Sequence, residues 1–384
     1  MARTVLRTKL CDMLGIEYPI LCAGMGPVLI GEQAGSPVEL VVAVSEAGGL
    51  GVLGGSGFTV DELRQAIREI RSRTAKPFGV DLLLPKNVVQ GKPVDYGGIT
   101  EVPLSAAVMT LPKPYQEWIR KVKDELGLPD AELMVRLNTT TMRPKEAVQV
   151  CIEEKVPLFC AGLGNPGFMV PEAHASGIMV LGITGNVKNA GRMVESGVDL
   201  IVAQGFEGGG HTGRVGTMAL LPGVLDAAGD VPVLAAGGIG DGRGLAAALA
   251  MGCAGVWVGT RFLATREGGA LEVNKQRILS STDEDTRVSL AITGKTSRTS
   301  YSRFHDLWNA SGLDPLPFPM QVLVSSALMG SFMEARRDDY VGGFAGQISG
   351  IISEIKPARQ VVEEMVAEAR DILARRLPGA VRLQ

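Results

Sequence analysis

The sequence predicts an α/β fold, a closed (β/α)8 TIM barrel, on three observations. Short apolar runs bounded by Gly or Pro recur through residues 19–260, segments of helical period separate them, and the last two runs end in glycine-rich turns. Alternation of this kind is the pattern of parallel βαβ units, whose strands are buried on both faces.

In chain order the strand-like runs are "PILCAG" (19–24), "GLGVLG" (49–54), "FGVDLLL" (78–84), "VPLFCAG" (156–162), "IMVLGIT" (178–184), "DLIVAQG" (199–205), "VPVLAAGG" (231–238) and "GVWVGT" (255–260). Helical spacing is plainest in "VDELRQAIREIRSR" (60–73) and "NVKNAGRMVESG" (186–197). A ninth candidate, "LMVRLN" (133–138), lies in the over-long interval between the third and fourth runs. We read about 86–141 as an insertion over the barrel's mouth; nine strands would also suit an open doubly wound sheet. The expected division is a barrel over 1–263 and a mainly helical subdomain over 264–384, packed on the barrel and ending in the amphipathic stretch "ARQVVEEMVAEARDILARRL" (358–377).

Composition narrows the function. With 384 residues, 46% hydrophobic and a formal net charge of -3, the chain can bury a large core and carries no field for nucleic acid or an anionic membrane. "MARTVLRTKL" has no apolar stretch behind it, and no run of some 18 uncharged apolar residues follows, so no signal peptide or membrane span is expected. The five cysteines lack CxxC spacing and sit mostly in apolar runs, which fits reduced core thiols in a cytoplasmic protein without a metal site. A homodimer is compatible with the apolar stretches of the C-terminal part.

The active site of such a barrel lies at the C-terminal ends of its strands. "AAGGIGDGRGLAAALAMG" (235–252) and "VWVGTRF" (256–262) follow strands seven and eight, where a phosphate belongs: glycines admit close backbone N–H groups, a helix N-terminus adds partial positive charge, and Thr260 adds a hydroxyl. "GLGVLG" and "GLGNPG" (162–167) match GxGxxG but lack dinucleotide-fold context, and "TGKTS" (293–297) lacks the first P-loop glycine. "AQGFEGGGHTG" puts His211 at the end of strand six, ringed by glycines that would let the main chain slide beside a flat ligand under an imidazole able to act as base or donor. His174 and His305 read as structural.

Taken together, "QGFEGGGHTG" and "VPVLAAGGIGDGRGLAAALAMGCAGVWVGTRFLAT", with "YPILCAGMG", "GGLGVLGG", "PFGVDLLLP" and "FAGQISGII", resemble the FMN-dependent nitronate monooxygenases and their relatives, the flavin-dependent enoyl-acyl-carrier-protein reductases. The resemblance implies FMN, with its phosphate at Gly237, Gly238, Gly259 and Thr260, its ring against Gly24 and Met25, contacts from Gln204, Gly209 and Gly210, and His211 as the catalytic residue. It implies a small-molecule substrate and O2: an alkyl nitronate, or a nitroalkane, oxidised to a carbonyl compound and nitrite. An NAD(P)H-dependent enoyl-thioester reductase and a flavin-binding protein without turnover stay open as alternatives. The family's "FGVN" is here "FGVD". Asp81, as a carboxylate, only accepts hydrogen bonds, so it binds a flavin N–H, is protonated, or loses the contact.

Overall fold

In the computed structural model, which describes residues 6–91 and 97–381, the eight expected runs form one parallel sheet. Its strands are β1 (Ile20–Cys22), β2 (Val52–Gly54), β3 (Gly79–Leu83), β4 (Leu158–Gly162), β5 (Met179–Thr184), β6 (Leu200–Gln204), β7 (Val233–Ala236) and β8 (Gly255–Val258). Neighbours pair in sequence order from β2 to β8, and β8 pairs with β1 through Ile20↔Val256 to Cys22↔Val258. The ring closes between β1 and β2. Leu21 bridges Leu50, the Cys22 amide donates to the Leu50 carbonyl at 2.9 Å, and Leu50 returns the bond to Ile20 at 3.0 Å. The barrel reading holds against the open sheet. The ninth run supplies only Met134–Arg136, which pairs antiparallel with Glu101–Pro103 away from the barrel.

Strand alternation divides the core in two. Val80 and Leu82 point outward to Leu63, Ile67 and Ala147, whereas Leu21, Val52, Leu158, Cys160, Leu200 and Trp257 fill the interior. The helix Val60–Arg73 begins at a capping box, Thr59 with Glu62, and buries Leu63, Ala66, Ile67 and Ile70 on one face.

Beyond β8 the chain leaves the barrel and returns. Strands Thr286–Ser289 and Ser297–Ser300 form a hairpin, a β element that the helical reading of this region did not contain. The helix Met320–Glu334 shares an apolar core with the insertion, in which Leu104, Leu111, Ile119 and Val122 meet Ile292, Trp308, Val324 and Phe332. Segments about 200 residues apart thus build one second lobe over the barrel's mouth. The helix Ala358–Asp371 comes back to the barrel's outer layer, burying Val361, Val362 and Met365 against the helices Gly242–Ala250 and Val38–Glu46.

Among the described residues no helix is long and apolar enough to cross a membrane, and no cluster of His, Cys, Asp or Glu could hold a metal ion.

Candidate active site

Between the barrel's mouth and the second lobe lies a cleft of about 1930 Å³. This is about twice the upper end of the roughly 300–1,000 Å³ of a typical small-ligand pocket. Gly24, Met25, Asp81, Gln204, Gly209, Gly210, His211, Gly237, Gly238, Gly259 and Thr260 all line it. The topology explains the convergence: Asp81 points inward from β3, and the others stand at the C-terminal end of a barrel strand or in the loop that follows it.

His211 belongs to a two-residue strand, Gly210–His211, that pairs antiparallel with Ser297–Arg298 of the hairpin. Its Nε2 stands 3.0 Å from the Thr293 hydroxyl, and the rings of Phe344 and Phe318 lie 5.8 and 6.2 Å away. Burial, with a smaller push from Lys295, lowers its pKa to about 4, so the imidazole is neutral at physiological pH. Thr293 belongs to "TGKTS", a stretch that fails as a P-loop and here forms the hairpin's turn. Only the pairing of Ser297–Ser300 with the histidine strand reveals it.

The glycines around the histidine serve protein neighbours first. A Cβ on Gly209 would lie 2.7 Å from the Ala345 carbonyl carbon and the Gly346 nitrogen, and one on Gly346 would lie 2.7 Å from the Glu207 oxygen. Two backbones therefore touch directly, and the Gln347 amide seals the contact with a 3.0 Å bond to the Glu207 carbonyl. Gly210 adopts φ +73°, a left-handed conformation natural to glycine. From the other side the Arg298 guanidinium donates to the Phe206 carbonyl at 3.0 Å and stacks over the Phe206 ring at 4.6 Å. The Gln204 side chain donates to the His211 carbonyl at 2.8 Å, tying the loop back to β6. The expected ligand-facing role of the glycines is thus joined by a structural one.

The turn after β7 has consecutive left-handed glycines, Gly237 at φ +89° and Gly238 at φ +72°. A Cβ on Gly237 would come 2.9 Å from the Gly205 carbonyl. The helix that follows is not an open anion site. Its first amides are taken by carboxylates: Gly242 donates to Glu368 at 2.8 Å and Arg243 to Asp241 at 3.0 Å. The glycine turn and the Gly259–Thr260 corner are what remain to face an anion. The Thr260 oxygen accepts from the Gly346 amide at 3.0 Å, leaving its hydroxyl proton to be donated.

Asp81 points from β3 into the cleft end of the barrel and is only 7% exposed. Its Oδ1 is buried with no hydrogen-bond partner. Burial holds the carboxyl well above the usual aspartate range, opposed only by a backbone contact from Gly162. Gly24 faces it so closely that any Cβ there would run into the Asp81 Cβ.

Other candidates resolve as structural. His174 pairs with Asp199 at 3.0 Å. His305 is buried, bonded to Thr299 at 3.0 Å and stacked on Tyr301. All five cysteines are buried and unpaired, and burial raises the pKa values of Cys22, Cys151, Cys160 and Cys253, leaving those thiols un-ionised.

A glycine-walled corner and a neutral histidine thus share one deep cleft at the mouth of a (β/α)8 barrel, the place where enzymes of this fold carry their active sites. Comparison with known proteins makes the class specific. The nitronate monooxygenase family profile matches residues 7–368, and the chain belongs to that family. It is a flavin-dependent oxidoreductase. A Mycobacterium tuberculosis protein named as a monooxygenase is 34% identical over 392 residues, covering 98% of this chain and all of that one. Among solved structures, nitroalkane oxidase from Streptomyces ansochromogenes superposes with a TM-score of 0.77 at 27% identity, over 95% of this chain and 99% of that one. FabK from Thermotoga maritima does so with 0.73 at 33% identity, over 98% and 100%.

Proposed function

We propose that the protein binds FMN in this cleft and oxidises alkyl nitronates with O2 to a carbonyl compound and nitrite. The observation that carries the reading is the joint placement of neutral His211, the Gly237–Gly238 turn and the Gly259–Thr260 corner on one cleft, in a chain of the nitronate monooxygenase family. The residues fit a flavin on two structural grounds. Asp81 Oδ1 is a buried polar atom that lacks a side-chain partner, and Gly237, Gly238 and Gly259 present main chain without side chains to the cleft.

In this reading the glycine turn and Thr260 would hold the phosphate, and Gly24, Met25, Gln204, Gly209 and Gly210 would hold the ring. The bound flavin supplies the redox chemistry, taking electrons from the substrate and giving them to O2. His211 hydrogen-bonds the substrate's nitro oxygens, and Thr293 and the hairpin strand hold the imidazole in place. Phe318 and Phe344 shield it from water. An imidazole with a pKa of about 4 is a weak base, so a preformed nitronate suits this site better than a neutral nitroalkane that must first lose its α-proton. Purified protein reconstituted with FMN should release nitrite from propyl 1-nitronate in air, and His211→Asn should depress the residual nitroalkane turnover further than nitronate turnover. Bound FMN with no nitrite from either substrate refutes the assignment.

A second reading is NAD(P)H-dependent reduction of an enoyl thioester. It is favoured by the size of the cleft and by its apolar outer wall, to which Val102, Val135 and Leu323 of the second lobe contribute, together with the FabK likeness. Flavin bleaching by NADPH without oxygen, reversed by an enoyl thioester, would select it.

A further inference from the structure

Asp81 is an anomaly for a carboxylate. It lines the cleft inside the barrel's mouth at 7% exposure, with Oδ1 buried beside Gly162 and without a side-chain partner. Among the described residues no cation offsets it, and a backbone contact from Gly162 alone favours its charge. Gly54 on β2 and Gly55 just after it face it with bare backbone; Gly54 pairs with it in register and the Gly55 amide donates to its carbonyl at 2.9 Å. Gly24 packs on it from the turn after β1, and on β4 Cys160 sits opposite in register. That thiol is the one titratable group facing Asp81 from these elements, and it too is buried and un-ionised. A buried charge without a partner takes up a proton instead. Un-ionised, Asp81 offers one O–H donor and one carbonyl acceptor, the same pair that an asparagine amide would present.

We propose that Asp81 is a neutral carboxylic acid and a cofactor-binding donor, giving its O–H to an acceptor on the edge of the flavin ring. The inference rests on the reading that the cleft takes FMN. It adds a titration: the acid form binds, and the carboxylate, unable to donate and set against electron-rich ring oxygens or nitrogens, does not. Affinity is therefore full where Asp81 is protonated in the free protein and falls as pH rises through its raised free-protein pKa.

The test is FMN affinity by flavin fluorescence quenching across neutral to alkaline pH, for the wild type and Asp81→Asn. The two should bind alike at neutral pH. At the alkaline end the wild type should weaken by roughly tenfold relative to Asp81→Asn, as expected for a lost hydrogen bond joined by charge repulsion. The ratio cancels the ionisation of FMN itself. Infrared spectra of the flavin-free wild type should show the carbonyl stretch of an un-ionised acid at neutral pH, absent from Asp81→Asn. If that variant does not fold, aspartate-labelled wild type supplies the same band through its isotope shift. A constant affinity ratio at all pH values, or a carboxylate in the infrared at neutral pH, overturns the inference. Failure of the wild type to bind FMN at any pH would overturn instead the cofactor reading beneath it.

Discussion

His211 is neutral where an exposed histidine would be partly charged, and this has a cost that pH can reveal. Its pKa falls from 6.5 to about 4 on burial. As pH drops below 6.5 the unfolded chain binds a proton that the folded chain refuses, so stability is lost progressively until about pH 4. The ceiling of this loss is about 3 kcal/mol. His211→Asn has no such proton, so urea midpoints taken at pH 7 and pH 4.5 should fall less for the variant than for the wild type; equal falls would contradict the half-buried, neutral imidazole. Thr293 is the histidine's side-chain partner at 3.0 Å. Thr293→Val should lower kcat/KM on nitronate about fivefold, and Thr293→Ser should restore it, since one neutral hydrogen bond is worth about 1 kcal/mol. At this scale the sequence was half informative. A rare histidine beside glycines announced itself, while Thr293 comes from a segment 82 positions on, joined only by strand pairing that no local pattern encodes.

At the scale of elements, glycine positions separate into those the fold needs and those it tolerates. Gly209→Ala places a methyl 2.7 Å from backbone atoms of Ala345 and Gly346; neither can rotate away, so we expect about 1–3 kcal/mol of destabilisation and weakened FMN retention. Gly191 lies within the helix Val187–Glu195 with open space where a Cβ would go. Gly191→Ala should stabilise the protein by about 0.5–1 kcal/mol, measured by denaturant unfolding, because helical glycine carries excess entropy loss. The eight strands and the helix Val60–Arg73 were readable because burial on both sides and a capping box leave local signatures. The helix Gly242–Ala250 was readable too, but the carboxylates occupying its N-terminal amides were not. Glu368, one of them, is 126 residues away.

For the whole molecule, the site is made by two lobes. The barrel contributes the glycine corners and Asp81, and the second lobe contributes Thr293, Phe318 and the apolar wall. That lobe draws on the insertion and on residues 291–341, and its single core was hidden because sequence pattern reports period and polarity but not which distant faces meet. The chain's last helix is likewise part of the barrel's coat. Truncation after Pro357 would expose the apolar partners of Val361, Val362 and Met365, and the shortened protein should aggregate or melt well below the full chain rather than behave as an intact barrel. The choice of reductant is where the two functional readings part. Rapid mixing of the FMN-loaded protein without oxygen, against propyl 1-nitronate and separately against NADPH, measures that choice directly. A nitronate oxidase loses its flavin absorbance with the nitronate and keeps it with NADPH; bleaching by NADPH alone would overturn that assignment.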